Sequence, residues 1–130
     1  AAAFSPDTTY AVTGDVAGNV SLWDTKEIQN PVMIKTWKAY SSSLPRDPTI
    51  QTIVFSPKGD RFVVGSKDRY AKVWDVQTQQ ALSQAFFYTF INGSNRLDVG
   101  GDGNIVMLQL YDVISIWTLP SFKELVKVSL

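Results

Sequence analysis

Residues 55–60 read FSPKGD and residues 73–75 read VWD, and this stretch decides the fold of the chain. Proline after serine, with small polar residues beside it, is typical of a tight turn. Between the two motifs, residues 62–64 are apolar and β-prone, and residues 71–74 alternate in polarity as half-buried strands do. The stretch therefore predicts a turn that is followed by two antiparallel strands.

The same pattern occurs 51 residues earlier in the chain. FSPD at residues 4–7 precedes LWD at residues 22–24, and the phenylalanine and the tryptophan are 19 residues apart in both copies. A third, degenerate copy runs from VGGDG at residues 99–103 to IWT at residues 116–118. Self-similarity at such spacing indicates a repeat protein.

Each copy predicts four short strands, and no segment has the periodicity of an amphipathic helix. The twelve predicted strands lie at about residues 1–4, 11–13, 20–23, 31–37, 50–55, 62–64, 71–74, 80–90, 96–99, 105–108, 114–117 and 122–128. The expected fold class is therefore all-β.

The charge balance argues against two classes of partner. Basic and acidic residues each number 12, the formal net charge is zero, and no run of lysine or arginine occurs. This balance gives no electrostatic reason to expect nucleic acid or an anionic membrane as a partner. No apolar run has the length of a membrane span either, so no membrane partner is expected.

The chain contains neither cysteine nor histidine. The lack of cysteine excludes disulfides, thiolate metal sites and a cysteine nucleophile. The lack of histidine removes the commonest general base and the commonest metal ligand. We therefore predict no cofactor, no metal site and no catalytic residue, and we expect a protein that is not an enzyme. A chain without cysteine suits a reducing compartment, so we expect an intracellular location, either cytoplasmic or nuclear.

The two FSP motifs, each followed about twenty residues later by a Trp-Asp pair, resemble WD40 repeats over nearly the whole chain. The resemblance implies a β-propeller, in which four-stranded antiparallel blades pack radially around a channel. It implies three blades, at about residues 1–38, 49–90 and 95–130, within a larger ring of about seven blades. The residues of the repeat signature are Phe4, Trp23, Asp24, Phe55, Asp68, Trp74, Asp75 and Trp117.

The chain departs from the family pattern in its polar residues. WD40 repeats typically carry a Gly-His pair before the first strand and link that histidine, an aspartate, a serine or threonine and the tryptophan by hydrogen bonds. Here Ala39 and Tyr40 stand where the pair would be. Blade one keeps Thr13 with Trp23, whereas blade two has Val64 in place of the hydroxyl residue. We therefore expect apolar packing to hold the blades together.

Three blades do not close a ring, because closed propellers have about four to eight. Two interpretations are open: a longer protein supplies the remaining blades, or copies of this chain assemble to complete the ring. We expect the first, because the chain begins with AAAF as the middle of a domain would.

The resemblance also implies where partners bind. In WD40 propellers, the loops before the first strands and those between the second and third strands share one rim, which is the usual partner surface. We therefore expect other proteins or peptides to bind there, since arginine and tyrosine are enriched at such surfaces. The candidate rim residues are Tyr40, Arg46, Asp47, Lys67, Arg69, Tyr70, Asn95, Arg96 and Tyr111.

Three features have two interpretations each. Residues 39–48, which contain two prolines and three serines, are either a solvated loop insertion or a loop that contacts a partner. The glycine cluster at residues 100–103 is either a turn with positive φ or a cation- or phosphate-binding turn, and its place in the repeat favours the former. Trp37 lies outside the repeat pattern and is either an exposed contact or a packed edge residue.

Three functions fit this fold. The leading hypothesis is a non-catalytic scaffold that docks proteins within a multiprotein complex. One alternative is an enzyme-type propeller, related to hydrolases or dehydrogenases, with catalytic groups outside this segment. The other is a purely structural spacer in a large assembly. Fold alone does not separate the three.

Overall fold

The computed structural model describes residues 1–40, 47–67, 69–86, 96–110 and 112–130, and gives only the backbone of Arg96 and Leu110. These residues form twelve β-strands and no helix, so none of them lies in a helix long and apolar enough to cross a membrane. The strands make three four-stranded antiparallel sheets. The all-β class and the three predicted four-stranded blades are confirmed.

Each blade consists of four consecutive strands. Blade one contains β1 (Ala2–Phe4), β2 (Tyr10–Gly14), β3 (Asn19–Asp24) and β4 (Val32–Lys38). Blade two contains β5 (Ile50–Phe55), β6 (Arg61–Ser66), β7 (Tyr70–Asp75) and β8 (Ala81–Phe86). Blade three contains β9 (Arg96–Gly100), β10 (Ile105–Leu110), β11 (Val113–Thr118) and β12 (Lys123–Ser129).

The strands of each blade pair in chain order, so that the first and fourth strands form the edges of the sheet. In blade two, Phe55 lies opposite Phe62, which lies opposite Trp74. Directly opposite residues project from the same face of a sheet. We call this the tryptophan face of a blade. The other side is the aliphatic face, which in blade one carries Val20 and Leu22.

In blades one and two, the serine of the serine-proline turn bonds to an aspartate of the same turn, two residues later in blade one and four residues later in blade two. Ser56 Oγ donates a hydrogen bond of 2.7 Å to Asp60, and Ser5 Oγ donates one of 2.7 Å to Asp7. Ser56 Oγ also accepts a bond of 3.1 Å from the backbone N–H of Arg61, where the next strand begins. The repeated motif therefore closes the hairpin between the first and second strands of each blade.

Two hydrophobic cores lie between neighbouring blades. In the first, the aliphatic face of blade one, with Val20 and Leu22, packs on the tryptophan face of blade two, with Phe62. In the second, the aliphatic face of blade two, with Val73, packs on the face of blade three that carries Val106. Because each fully buried side chain of this size contributes about 1.5–3 kcal/mol, apolar packing dominates the contact between blades.

Trp37 belongs to the first core. It lies on β4 opposite Val20, and its ring centroid is 5.3 Å from that of Trp74 and 6.4 Å from that of Phe62. Of the two interpretations that the sequence left open, the packed edge residue is therefore the correct one. The ring covers the tryptophan of the next blade.

The outer blades each leave one face uncovered in this structure. Phe4, on the tryptophan face of blade one, is 62% exposed, whereas its counterpart Phe55 is 8% exposed in the first core. On blade three, Met107, Ile116 and Val126 lie opposite one another on the side away from blade two. Both surfaces are apolar patches of the kind that the two cores bury.

The outer strand of every blade contains a bulge beside the signature tryptophan. The strand register shifts immediately before Trp23, Trp74 and Trp117. The extra residues on the outer strands are Ile34, Leu82 and Leu125, all of them exposed. A bulge inserts one unpaired residue, bends the strand and increases its twist.

Candidate functional site

The candidate site is the rim at the end of blades one and two where the second strand of each blade turns into the third. The turn at residues 15–18 lies there, as do Lys67 and Arg69 between β6 and β7. Because neighbouring strands are antiparallel, the end of β4 and the start of β5 lie at the same end, together with residues 39–40 and 47–49, which are the described ends of the linker between them. The turn of blade one, the described residues between β6 and β7, and the described ends of the β4–β5 linker therefore lie at one end of these two blades.

Backbone hydrogen bonds tie the rim together across the boundary between the blades. The N–H of Ile50 donates to the carbonyl of Asp15 at 3.0 Å, and the N–H of Ala39 donates to that of Gly18 at 2.9 Å. At Gly14, an added Cβ would lie 2.4 Å from Ile50 Cγ2, so glycine is needed for this close approach. The linker is thus fixed to the turn of blade one at several points.

Side-chain hydrogen bonds close the turn of blade one. The carboxylate of Asp15 accepts bonds of 2.9 Å from the backbone N–H groups of Ala17 and Asn19, and one of 2.8 Å from Asn19 Nδ2. These bonds, above all the one from the Asn19 side chain, lower the pKa of Asp15. The turn is therefore held by an ionised carboxylate at neutral pH.

An ion pair joins the linker to the turn of blade two. Lys67 Nζ lies 3.1 Å from the Asp47 carboxylate, and the N–H of Lys67 donates to the carbonyl of Thr49 at 2.9 Å. Hydrogen bonds from Thr49 and Lys67 lower the pKa of Asp47. Both side chains of the pair are exposed, so it contributes little stability, but it presents two charges in a defined arrangement.

The inclusion of Tyr40 among the exposed rim residues is wrong. Its side chain is 5% exposed, and its hydroxyl lies 3.0 Å from the carbonyl oxygens of both Val64 and Tyr70. Burial raises the pKa of this hydroxyl. The residue that takes the place of the expected histidine points inward, where its single hydroxyl proton is shared between two backbone carbonyls of blade two. Its buried side chain offers no surface to a partner.

Arg69 and Tyr70 lie half-buried beside the exposed ring of Phe86. The Tyr70 and Phe86 ring centroids are 5.1 Å apart, and the Arg69 guanidinium carbon is 5.3 Å from the Phe86 centroid. Phe86 was not among the residues predicted from the sequence, and only the structure places it at the end of β8. Lys72 lies below this group, with its ammonium 5.1 Å from the Trp74 ring, and burial lowers its pKa.

Several of the predicted residues fall outside the part of the chain that the structure describes. Among the rim residues these are Arg46, Asn95 and Tyr111, together with the side chain of Arg96. Asp68 of the repeat signature is outside it as well. Their roles stay predictions.

The described signature residues have structural contacts. Asp24 and Asp75 accept backbone hydrogen bonds of 3.0 and 2.7 Å from the turns that follow them. Trp23 Nε1 donates to Thr13 Oγ1 at 3.0 Å. Trp117 packs against the second core. These contacts account for the spacing of the signature without a ligand.

In the described ranges, no cluster of three or more potential metal-ligating side chains occurs. The glycine cluster after β9 forms a turn in which Gly101 and Gly103 have φ of 59° and 83°. Positive φ favours glycine, which agrees with the turn interpretation.

Comparisons with known proteins agree with this architecture. The family described as "WD domain, G-beta repeat" matches residues 1–24 and 34–75. WD repeat-containing protein 1 of Gallus gallus is 32% identical to this chain over 95 residues, which are 73% of this chain and 14% of that protein. The chain thus corresponds to a small part of the length of this relative.

Proposed function

Because the chain belongs to the WD40-repeat family, we propose that it acts as a non-catalytic scaffold that docks proteins or peptides at the rim of blades one and two, within a multiprotein complex. WD40 repeats generally support protein interaction. The finer proposal concerns the surface used, whose described exposed or half-exposed residues are Asp47, Lys67, Arg69, Tyr70 and Phe86. We further propose that this scaffold works inside the cell, in the cytoplasm or the nucleus.

The observation that carries the proposal is the set of hydrogen bonds that joins the described residues of this rim. The linker before β5 is bonded to the turn of blade one through Asp15 and to the turn of blade two through Lys67. Binding to a surface that is already ordered avoids much of the entropy cost of immobilising loops. A polar surface with aromatic and arginine side chains on such a frame has the composition of protein-binding surfaces.

The test is proximity labelling with the chain as it occurs in its cell. The rim variant is Lys67→Glu combined with Arg69→Glu. The matched control is Lys35→Glu combined with Lys127→Glu, which changes the charge equally at exposed positions on outer strands. We expect the rim variant to lose a defined set of labelled proteins that the control retains. Equal labelling by both variants would overturn the rim proposal and favour the spacer function.

We also propose that the uncovered faces of blades one and three pack on further blades of a ring. Support comes from the fact that the two uncovered faces are of different kinds. Blade one exposes its tryptophan face, whereas blade three exposes the opposite face. Each core in the chain joins one face of each kind.

Mass measurements test the ring proposal. A denatured mass far above 14.4 kDa would support further blades in the same chain. A denatured mass of 14.4 kDa with a native mass at least twice as large would support a ring made from copies. A native and denatured mass of 14.4 kDa would overturn the proposal.

A further inference from the structure

Lys72 lies on β7 of blade two with its ammonium against aromatic rings. It is on the same face of the strand as Trp74, because the two residues are two positions apart. Its Nζ is 5.1 Å from the centroid of the Trp74 ring and 5.8 Å from that of the Tyr40 ring. Both rings belong to the first core, and Lys72 itself is half-buried. The ammonium therefore borders apolar ring surface as well as water.

The strands around Lys72 do not supply a carboxylate to balance its charge. The described strands β4 to β8 contain a single acid, Asp75, which lies three residues after Lys72 and therefore on the other face of β7. The residues directly opposite Lys72 are the apolar Val64 on β6 and the uncharged Gln84 on β8. The described part of the chain contains no ion pair of Lys72.

The described acids of the neighbouring rim have other partners. The Asp47 carboxylate lies 3.1 Å from Lys67, and the Asp15 carboxylate accepts the hydrogen bonds that close the turn of blade one. Asp68 lies outside the described residues. Lys67 is therefore paired with an acid in this structure, whereas Lys72 is not paired with any described one.

Burial without a charged partner changes the protonation of Lys72. Partial removal of an ammonium from water disfavours its charged form, so burial lowers the pKa of Lys72. The two ring contacts lie in the outer part of the range, about 6 Å, within which aromatic faces attract cations, so they offset this effect incompletely. More of this amine is therefore deprotonated near neutral pH than in an exposed lysine, and the deprotonated amine is the nucleophile.

We propose that Lys72 is an acylation site, at which small thioesters transfer their acyl group to the side-chain nitrogen. The ammonium first loses a proton to water. The nitrogen lone pair then attacks the thioester carbonyl carbon, the N–C bond forms, and the C–S bond breaks. The thiolate leaves with the bonding electrons and takes up the proton that the nitrogen sheds as the amide forms. The product removes a positive charge from the boundary between blades one and two.

Reaction of the folded chain with the thioester S-acetyl-N-acetylcysteamine at pH 7.5 tests this proposal, and mass spectrometry of peptides gives the acetylation rate of each lysine. The matched references are Lys35 and Lys58, which are exposed on the same chain. We expect Lys72 to be acetylated at least threefold faster than either. In urea, where the fold is lost, the three rates should become similar. A rate for Lys72 in the folded chain equal to or below those of the references would overturn the proposal.

Gln84→Glu tests the role of the missing carboxylate. The variant places an acid directly opposite Lys72, where opposite charges attract across two strands and favour the ammonium. We expect acetylation of Lys72 to slow at least threefold, with Lys35 unchanged. Gln80→Glu is the control, because it adds the same charge at an exposed position in the turn before β8. An undiminished rate at Lys72 in Gln84→Glu would contradict the proposal.

The pH profile separates protonation from simple exposure. Exposed lysines deprotonate near pH 10.4, about the ordinary value, so the advantage of Lys72 over Lys35 should narrow as the pH approaches it. An advantage that stays constant between pH 7.5 and that value would mean that exposure alone sets the rates, and would overturn the proposal. The inference does not depend on the scaffold function, because these rates are measured without a partner.

Discussion

Blades one and two carry their signature tryptophan at equivalent positions and stabilise it by different interactions. In blade one, Trp23 is half-buried and its indole N–H donates to Thr13. In blade two, Trp74 is 6% exposed, Val64 occupies the place of Thr13, and Trp74 Nε1 has no hydrogen-bond partner among the described residues. The tryptophan ring thus occupies the same position in both repeats, whereas the local surroundings decide whether its indole N–H has a hydrogen-bond partner.

The two tryptophans differ because, among the described residues, the tryptophan face of blade two is covered by a neighbouring blade and that of blade one is not. The tryptophan face of blade two lies under blade one, where Trp37 contacts Trp74, whereas Trp23 belongs to neither core that the described residues form. A buried N–H without a partner costs about 1–3 kcal/mol. Full burial of a large aromatic side chain offsets that cost through its apolar area. Within one chain, then, the signature tryptophan is stabilised by a hydrogen bond in one blade and by apolar burial in the next.

The largest expected effect is the difference between the two tryptophans on truncation. Trp74→Ala should lower the free energy of unfolding by about 3–5 kcal/mol, because it opens a cavity in the first core. Trp23→Ala should cost clearly less, since its ring is already partly in water. Urea denaturation measures both variants, and equal losses would contradict the distinction between the blades.

The second prediction concerns the contact between the blades. Gly14→Ala should cost about 1–3 kcal/mol, because its Cβ would overlap the buried side chain of Ile50. Gly100→Ala is the matched control, since its Cβ would meet Ile105 only at an ordinary distance of 3.7 Å. Thermal denaturation compares the two. Similar melting temperatures for both variants would show that the boundary is loosely packed.

The third prediction concerns substitutions that remove the hydrogen bond of the tryptophan in blade one and introduce one in blade two. Thr13→Val should cost about 1 kcal/mol, because it removes the acceptor of the Trp23 N–H. Val64→Thr supplies blade two with such an acceptor. Its effect on the free energy of unfolding should be more favourable by about 1 kcal/mol in the parent protein than in a Trp74→Phe variant, which has no indole N–H to donate. Unfolding free energies of the four proteins in this cycle test the coupling. Additive effects would mean that the introduced hydroxyl does not pair with the indole N–H of Trp74.

The last prediction concerns the pH dependence of stability that arises from Tyr40, whose buried hydroxyl bonds to the backbone of blade two. Burial holds its pKa above that of an unfolded tyrosine, about 10. The Tyr40 hydroxyl therefore keeps its proton in the folded state at a pH at which it loses the proton in the unfolded state. Its contribution to the free energy of unfolding is fully present below about pH 10 and falls as the pH rises further. Tyr40→Phe should remove this part of the loss.

Denaturation midpoints between pH 8 and about pH 11 measure the effect, in a range where unfolded tyrosine ionises. Tyr10→Phe controls for the loss of one hydroxyl elsewhere in the chain. The same alkaline decrease in Tyr40→Phe and in the parent would show that the Tyr40 hydroxyl does not contribute to it.

The number of strands, their order and the pairing of motifs were predictable from local patterns. A turn motif and a tryptophan 19 residues later determine one hairpin, and alternation of polarity determines which residues share a face. Which blade covers that face is a tertiary property. The sequence therefore did not decide between the two interpretations of Trp37, whose ring packs on Trp74 in the next blade.

The candidate rim was less predictable than the fold. Residue type and loop position selected Asp47 and Lys67, which are exposed and paired, but the same reasoning selected Tyr40, which is buried. A linker lacks the alternation of polarity that shows, in a strand, whether a side chain points into the core or toward solvent. Phe86 was missed because an apolar residue in an outer strand is ordinarily assigned to packing.

The bulges beside the three tryptophans have a consequence for solubility. An outer strand with unpaired N–H and C=O groups is a template on which another chain can add a strand and begin aggregation. An extra residue at Ile34, Leu82 and Leu125 bends each outer strand, so that no outer edge among the described strands offers a long flat ladder. We therefore expect these bulged outer strands to pair edge to edge with another chain less readily than regular strands would.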